Sequence, residues 1–161
     1  MLEGNKILIR RAKADDIEVI SQIERTCFPG LTAYSKRHLA YLILKANSST
    51  LVETENSTLH GFIIITYHKR SRIGNVETID VDPSFQKQGV GLRLLAAAEE
   101  DMKEHGMKFS QLEVSEGNHA AIKLYQKAGY TIKQKLADYY QFEHNGSCNA
   151  IRMIRVLDAV H

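Results

Sequence analysis

Residues 85–95 read FQKQGVGLRLL, with Gly89 and Gly91 on either side of Val90. The pair stands between VETIDV (76–81), rich in β-branched residues, and LRLLAAAEEDM (92–102), whose apolar positions recur at helical spacing. A strand that turns through glycines into a helix has chemistry of its own. The first amides of a helix lack internal partners and together carry about half a positive charge. Glycines let an anion reach the backbone without Cβ atoms in the way. The stretch is therefore either a tight turn or a cradle for phosphate. It is not a dinucleotide fingerprint, which needs GxGxxG, nor a Walker A loop, which needs GxxxxGK followed by Ser or Thr.

Other reactive side chains are sparse. Cys27 and Cys148 lie far apart, with no second thiol or paired histidines at ligand spacing, and the 7 histidines form no HExxH-like pair. No metal and no disulfide framework are expected. The formal net charge of +2 gives little phosphate-driven attraction, so a nucleic-acid partner is not implied. Apolar runs such as FIII and LLAAA fall well short of the roughly 20 residues that span a bilayer. MLEGNKILIRR also lacks the order of a secretory signal, so a cytoplasmic protein without membrane association is expected.

The positioning elements follow from pattern. With 161 residues, 43% hydrophobic and 25% charged, the chain fits one folded domain over 1–161. KILIRRA (6–12) alternates as a strand; Asp15 or Asp16 can cap a helix with Ile17, Ile20, Ile23 and Cys27 on its face, and Phe28-Pro29-Gly30 ends it. Ser35 can cap a second helix bearing Leu39, Leu42, Ile43 and Ala46. STLVET (49–54) and HGFIIITYH (60–68) form a hairpin around ENST, and the basic, solubilising turn KRSRIG leads to NVETIDV (75–81). Asp82-Pro83 closes that strand. The helix after the glycines ends near His105-Gly106, followed by the strand FSQLEVS (109–115). Asn118 caps a helix that Gly129 terminates, and YTIKQKL (130–136) and AIRMIRVL (150–157) finish as strands. This order points to an α/β or α+β fold with a partly parallel sheet.

In this setting Gln86, Gly89 and Gly91 fit the pattern Arg/Gln-x-x-Gly-x-Gly/Ala, and downstream Asn118, Ala121, Tyr125, Gly129 and Tyr130 fit Asn-x-x-Ala-x-x-x-Tyr-x-x-x-Gly-Phe/Tyr. Together they resemble the pyrophosphate loop and the following strand-helix block of the GNAT superfamily of acetyl-CoA-dependent N-acetyltransferases. The resemblance implies a central mixed, mostly antiparallel sheet of about seven strands, flanked by four helices and splayed between strands four and five. It implies acetyl-CoA as cosubstrate, with no metal, bound by Ile79, Asp80, Val81, the run Gln86, Lys87, Gln88, Gly89, Val90, Gly91 and Leu92, and by Asn118, Ala121 and Tyr125. IERTCFPGLTAYS, LEVSEGNHAAIKLY and ADYYQ carry a closer likeness to the ribosomal-protein alanine acetyltransferase (RimI) type and its archaeal and eukaryotic relatives. That likeness implies a protein or peptide N-terminus as acceptor, a ribosomal or nascent-chain target, and a monomer or weak dimer.

Acetyl transfer needs a neutral amine, a polarised thioester carbonyl and a proton for the departing thiolate. An α-amine, with pKa near 8, needs only modest base catalysis, whereas a lysine near 10.4 depends more on a base. Glu113 is the candidate base, directly or through water, and a partly apolar surrounding would suit it. Glu77 is the alternative base. By resemblance Tyr125 protonates the coenzyme A thiolate, and the oxyanion donor is a backbone N–H at the end of the strand before the glycines. Phe28, Pro29, Leu31 and Tyr34 are expected to line a pocket for the first side chain of the acceptor, and Tyr139 and Tyr140 to bind its backbone. Lys87, Arg93, Lys123 and Lys127 either meet the cofactor's outer phosphate or sit on solvated faces. Acetylation of a lysine or small amine, and a non-catalytic acetyl-CoA sensor, are the alternative functions on the same fold.

Overall fold

The computed structural model describes residues 6–158. In chain order the elements are β1 (Ile7–Arg11), α1 (Ile17–Cys27), α2 (Lys36–Leu44), β2 (Ser48–Glu55), β3 (Thr58–His68), β4 (Ile73–Val81), α3 (Val90–Glu104), β5 (Phe109–Ser115), α4 (His119–Lys127), β6 (Thr131–Leu136) and β7 (Ala150–Val156). The strands form one seven-stranded sheet in the order β1-β2-β3-β4-β5-β7-β6. Only β4 and β5 run parallel, as expected for strands joined by a helical crossover. The mixed, mostly antiparallel α/β sheet with four helices is the fold that the resemblance implies.

Each face of the sheet carries its own core. Ile63, Ile65, Val76 and Leu112 pack on one face against Leu94, Leu95, Ala98 and Met102 of α3 and Tyr125 of α4. Val52, Phe62 and Ile64 pack on the other against Ile20 and Ile23 of α1 and Leu39 and Leu42 of α2. The apolar stripe of each helix thus meets alternate residues of the same strands.

Two irregularities shape the centre. The β4–β5 ladder ends at Val76↔Leu112, although β4 continues against β3 to Val81 and β5 against β7 to Ser115. Beyond Val76 the two parallel strands diverge into a wedge. In the β3–β4 register Ile64 faces Thr78 and Ile65 faces Val76, which leaves Glu77 as the bulged residue. A bulge bends its strand and re-aims the side chain.

Several local expectations hold. Ser35 accepts the His38 N–H and caps α2, Asn118 accepts the Ala121 N–H and caps α4, and Gly106 and Gly129 take left-handed φ of 77° and 98° at helix ends. Three differ. Asp16 is itself helical and does not cap α1 with its side chain; its carboxylate instead takes both Arg10 nitrogens, at 2.8 and 3.0 Å, and the Lys13 N–H. The ion pair with β1 outcompetes the cap. Strand β4 begins at Ile73 and not Asn75, and α3 begins at Val90 and not Leu92, so Gly91 lies inside its first turn.

Candidate active site

The wedge between β4 and β5 opens into a cavity of about 320 Å³. Glu113, the first β5 residue past the last β4 pair, lines it, as do Glu77 and Ile79 of β4 and Tyr125 of α4. Glu113 stands in a partly apolar surrounding, with Val76, Ile79 and Val114 on the same lining, but its carboxylate is not left without polar neighbours. Its cross-strand neighbour Arg152 donates to Oε2 at 3.3 Å, and the Tyr139 hydroxyl lies 3.4 Å from Oε1. Glu77 accepts from Thr66 Oγ1 at 2.6 Å and from Asn75 Nδ2 at 3.2 Å. The ring of Tyr125 is buried in a T-shaped pair with Tyr130, while its hydroxyl has no hydrogen-bond partner among the described residues. Burial, and behind it the Asp80 carboxylate, pushes the Tyr125 phenol up to about 12.

Phe28, Tyr34, Tyr139 and Tyr140 also line the cavity. Burial pushes the hydroxyls of Tyr34 and Tyr140 up as well. Pro29 and Leu31 do not line it: Leu31 is 77% exposed, because the short 3-10 turn after Pro29 directs it outward. The loop carrying Tyr139 and Tyr140 is pinned to the end of β5. Ser115 Oγ donates to the His144 carbonyl, and Glu116 Oε1 accepts from Ser147 at 2.7 Å and from Asn149 at 3.0 Å.

At the far end of β4, the turn of residues 82–89 leads into α3. Asp82 accepts the Ser84 N–H and starts a 3-10 turn over Pro83–Phe85. Gln86 Nε2 donates to the Val81 carbonyl at 3.1 Å, tying the turn back to the strand end. Lys87 and Gly89 take left-handed φ of 62° and 82°, an alternation that makes backbone N–H groups converge. No side chain caps α3, and its first internal bond runs from Arg93 N to Gly89 O, so the amides of Val90, Gly91 and Leu92 precede it. Leu92 is 43% exposed, so what it can offer an anion is its amide. Val81 and Ile79 approach Gly91, which places the wedge and this helix start side by side. The turn has the form of an anion cradle.

A sequence model of the acetyltransferase (GNAT) family matches residues 17–130. The chain belongs to this family. It is accordingly an acyltransferase, an N-acetyltransferase that uses acetyl-CoA. An N-alpha-acetyltransferase of Saccharolobus solfataricus is 27% identical over 147 residues, covering 86% of this chain and 88% of that protein. The ribosomal protein bS18-alanine N-acetyltransferase of Escherichia coli (strain K12) is 37% identical over 62 residues, 38% of this chain and 42% of that one. Among solved structures, Ard1 from Thermoplasma volcanium superposes with a TM-score of 0.80 at 28% identity, covering 94% of this chain and 98% of that one.

The remaining candidates divide. In this acetyltransferase Arg93 is not free for an outer phosphate, since it pairs with Glu53. Burial draws the Glu53 carboxyl upward, but hydrogen bonds from Arg93 and His60 outweigh it and hold it below the usual range. Lys87, Lys123 and Lys127 are exposed. Asp80 does not turn its side chain into the wedge; it is buried on the α1 face, hydrogen-bonded to Thr78 and beside Glu24. Its neighbours Ile79 and Val81 belong to the opposite core. Any contact of Asp80 with cofactor is through backbone. Among the described residues no cluster of His, Cys, Asp and Glu is placed to hold a metal, and no helix is long and apolar enough to cross a membrane.

Sequence reasoning missed Glu24, Thr78 and His144 as cavity residues. His144 stacks on Tyr140 at 4.0 Å and lies 6.1 Å from Phe28, closing the wall. For Glu24 a signal existed. It follows Ile20 at helical spacing and falls on the buried stripe of α1, where a carboxylate is unusual.

Proposed function

We propose that this acetyltransferase transfers acetyl from acetyl-CoA to the N-terminal α-amine of a protein or peptide, by direct attack in a ternary complex. The observation that carries the reading is that Glu113 and Tyr125 line one cavity, which opens where β4 and β5 part and which the tyrosines of two loops wall. The names of the archaeal and bS18-alanine relatives support an α-amine acceptor, and a ribosomal or nascent chain in the cytoplasm fits the same reading.

The pyrophosphate of acetyl-CoA lies on the amides between Gln86 and Leu92, with Gln86 bracing the turn through Val81. The arm of the cofactor enters the wedge along Ile79, Asp80 and Val81, whose edge has no β5 partner, and passes Asn118 and Ala121. A backbone N–H there steadies the oxyanion. The α-amine, whose pKa of about 8 lies about one unit above neutral pH, loses its proton toward Glu113, directly or through water, as the C–N bond forms. The C–S bond breaks and the sulfur takes the phenolic proton of Tyr125, which solvent then returns to the phenolate. With its phenol near 12, Tyr125 holds this proton throughout the working range until the sulfur departs and acts as a fixed O–H donor to it. Phe28 and Tyr34 flank the acceptor's first side chain, and Tyr139 and Tyr140 its backbone.

The test is transfer to peptides that differ in their first two residues, each with the α-amine free or blocked and with or without an internal lysine. Loss of transfer on blocking the α-amine is expected. Undiminished transfer to blocked, lysine-bearing peptides would overturn the reading in favour of a lysine acetyltransferase.

A further inference from the structure

The turn before α3 is held from behind by a charge network seated on the buried Glu53. Arg93 reaches across to β2, with Nε donating to Glu53 Oε1 at 2.7 Å and Nη2 to Glu53 Oε2 at 3.2 Å. Its remaining nitrogen, Nη1, donates to the Gln88 carbonyl at 2.9 Å. Glu53 is fully buried at 0% exposure and cannot swing away, since Oε2 also lies 2.9 Å from His60 Nδ1. The His60 ring stacks on Phe85 at 4.0 Å, and the His60 carbonyl accepts the Asp82 N–H at 2.8 Å. The turn is thus fastened to the β2–β3 hairpin at residues 82, 85 and 88.

The bond to Gln88 has a consequence for its neighbour. In a trans peptide the C=O and the N–H point in opposite directions, and every described peptide is trans. Drawing the Gln88 carbonyl toward Arg93 turns the Gly89 N–H to the opposite side. Gly89, at φ 82° and without a Cβ, is also where this peptide would flip most cheaply. The geometry points to Arg93 as the latch of the 88–89 peptide: anchored by Glu53, it holds the Gln88 carbonyl back and keeps the Gly89 N–H in the cradle for the pyrophosphate of acetyl-CoA. Arg93 is then a positioning residue and not a phosphate ligand, its charge being matched by Glu53. The inference rests on the cofactor reading of the preceding section.

The test compares Arg93→Lys, Arg93→Met and Glu53→Gln/Arg93→Met with the wild type. The double variant leaves a neutral amide beside His60, so it reports on the latch even if a lone buried carboxylate unfolds the single variants. Calorimetry gives the Kd for coenzyme A, and kinetics give kcat/KM for acetyl-CoA relative to S-acetylpantetheine, which lacks the pyrophosphate. All three variants should weaken coenzyme A by about tenfold, the loss of roughly one charge-assisted hydrogen bond, and lower the acetyl-CoA to S-acetylpantetheine ratio by the same factor. A lysine that restores wild-type Kd would mean that charge alone suffices and would overturn the latch. So would an unchanged ratio, since the loss would then lie outside the pyrophosphate site. Wild-type protein that binds no coenzyme A removes the cofactor reading and the latch together, whereas binding equal in wild type and variants removes only the latch.

Discussion

Glu24 of α1 and Asp80 of β4 are two carboxylates buried beside each other, each 1% exposed, with the Thr78 hydroxyl 3.4 Å from one and 2.6 Å from the other. One hydroxyl hydrogen cannot serve both, and Asp80 Oδ2 has no partner among the described residues. Two anions in this position would repel with little water to screen them. Burial first, and Glu24 second, push the Asp80 carboxyl well above the usual carboxylate range.

Stability should therefore fall as pH rises. The unfolded chain releases the Asp80 proton near its ordinary value of about 3.9, while the native chain keeps it. The stability this group contributes is fully present below that value and is lost as pH climbs through the raised native one. Asp80→Asn cannot ionise, and its amide can donate to Glu24. Urea denaturation should find the variant more stable than wild type near pH 8, with the gap closing toward about pH 4. A gap independent of pH would exclude a retained proton.

Tyr125→Phe removes a hydroxyl that no described residue uses, so no buried partner is orphaned and thermal stability should change little. A donor acting only on the leaving sulfur should cost about 100-fold in kcat, with the Kd for coenzyme A unmoved. Because the phenol stands at about 12, the wild-type pH profile should show no loss from Tyr125 until the pH approaches that value. An alkaline limb near pH 9 that disappears in Tyr125→Phe would contradict this.

Gly117 is the point where the tyrosine loop meets β5. A Cβ there would come 2.1 Å from the Asn145 carbonyl oxygen and 3.2 Å from its carbon, both backbone atoms that can yield only if the loop moves. Gly117→Ala should raise the KM for the acceptor peptide severalfold through Tyr139, Tyr140 and His144, at a stability cost of about 1–3 kcal/mol. Coenzyme A binding, whose pyrophosphate cradle lies at the start of α3, should change less than the KM for the acceptor. Equal effects on both substrates would mean that the loop does not bound the acceptor side.

Gly89 and Gly91 should respond differently to alanine. At φ 82° Gly89→Ala is strained and meets Arg93 Nη1 at 3.0 Å, so a loss of about 1 kcal/mol and weaker coenzyme A binding are expected. At Gly91 a Cβ finds only ordinary contacts at 3.9 and 4.0 Å, inside the first turn of α3. Gly91→Ala should keep or slightly raise stability, by up to about 1 kcal/mol. Thermal melts with and without coenzyme A separate the two. Equal destabilisation would show that Gly91 is also needed for the turn itself.

What could be read from the chain alone was local or motif-borne. Ser35, Asn118, Gly106 and Gly129 mark helix ends because caps and left-handed turns act within a few residues. Gln86, Gly89 and Gly91, taken with Tyr125, named the family because their spacing survives without knowledge of the sheet. Even so, neither Asp15 nor Asp16 caps α1 with its side chain, since Arg10 reaches Asp16 from β1.

The acceptor side and the charge pattern were decided by tertiary structure. Periodicity could not show that β7 inserts between β5 and β6, yet that pairing sets Arg152 beside Glu113. Nor could it show that β4 and β5 separate after Val76 and Leu112, which makes the cavity. Glu24 and Asp80, or Glu53 and Arg93, are distant in sequence, and a carboxylate's partners depend on which strands and helices enclose it. Capping and turn chemistry are written in neighbouring residues; the environment of a buried charge exists only once the sheet has assembled around it.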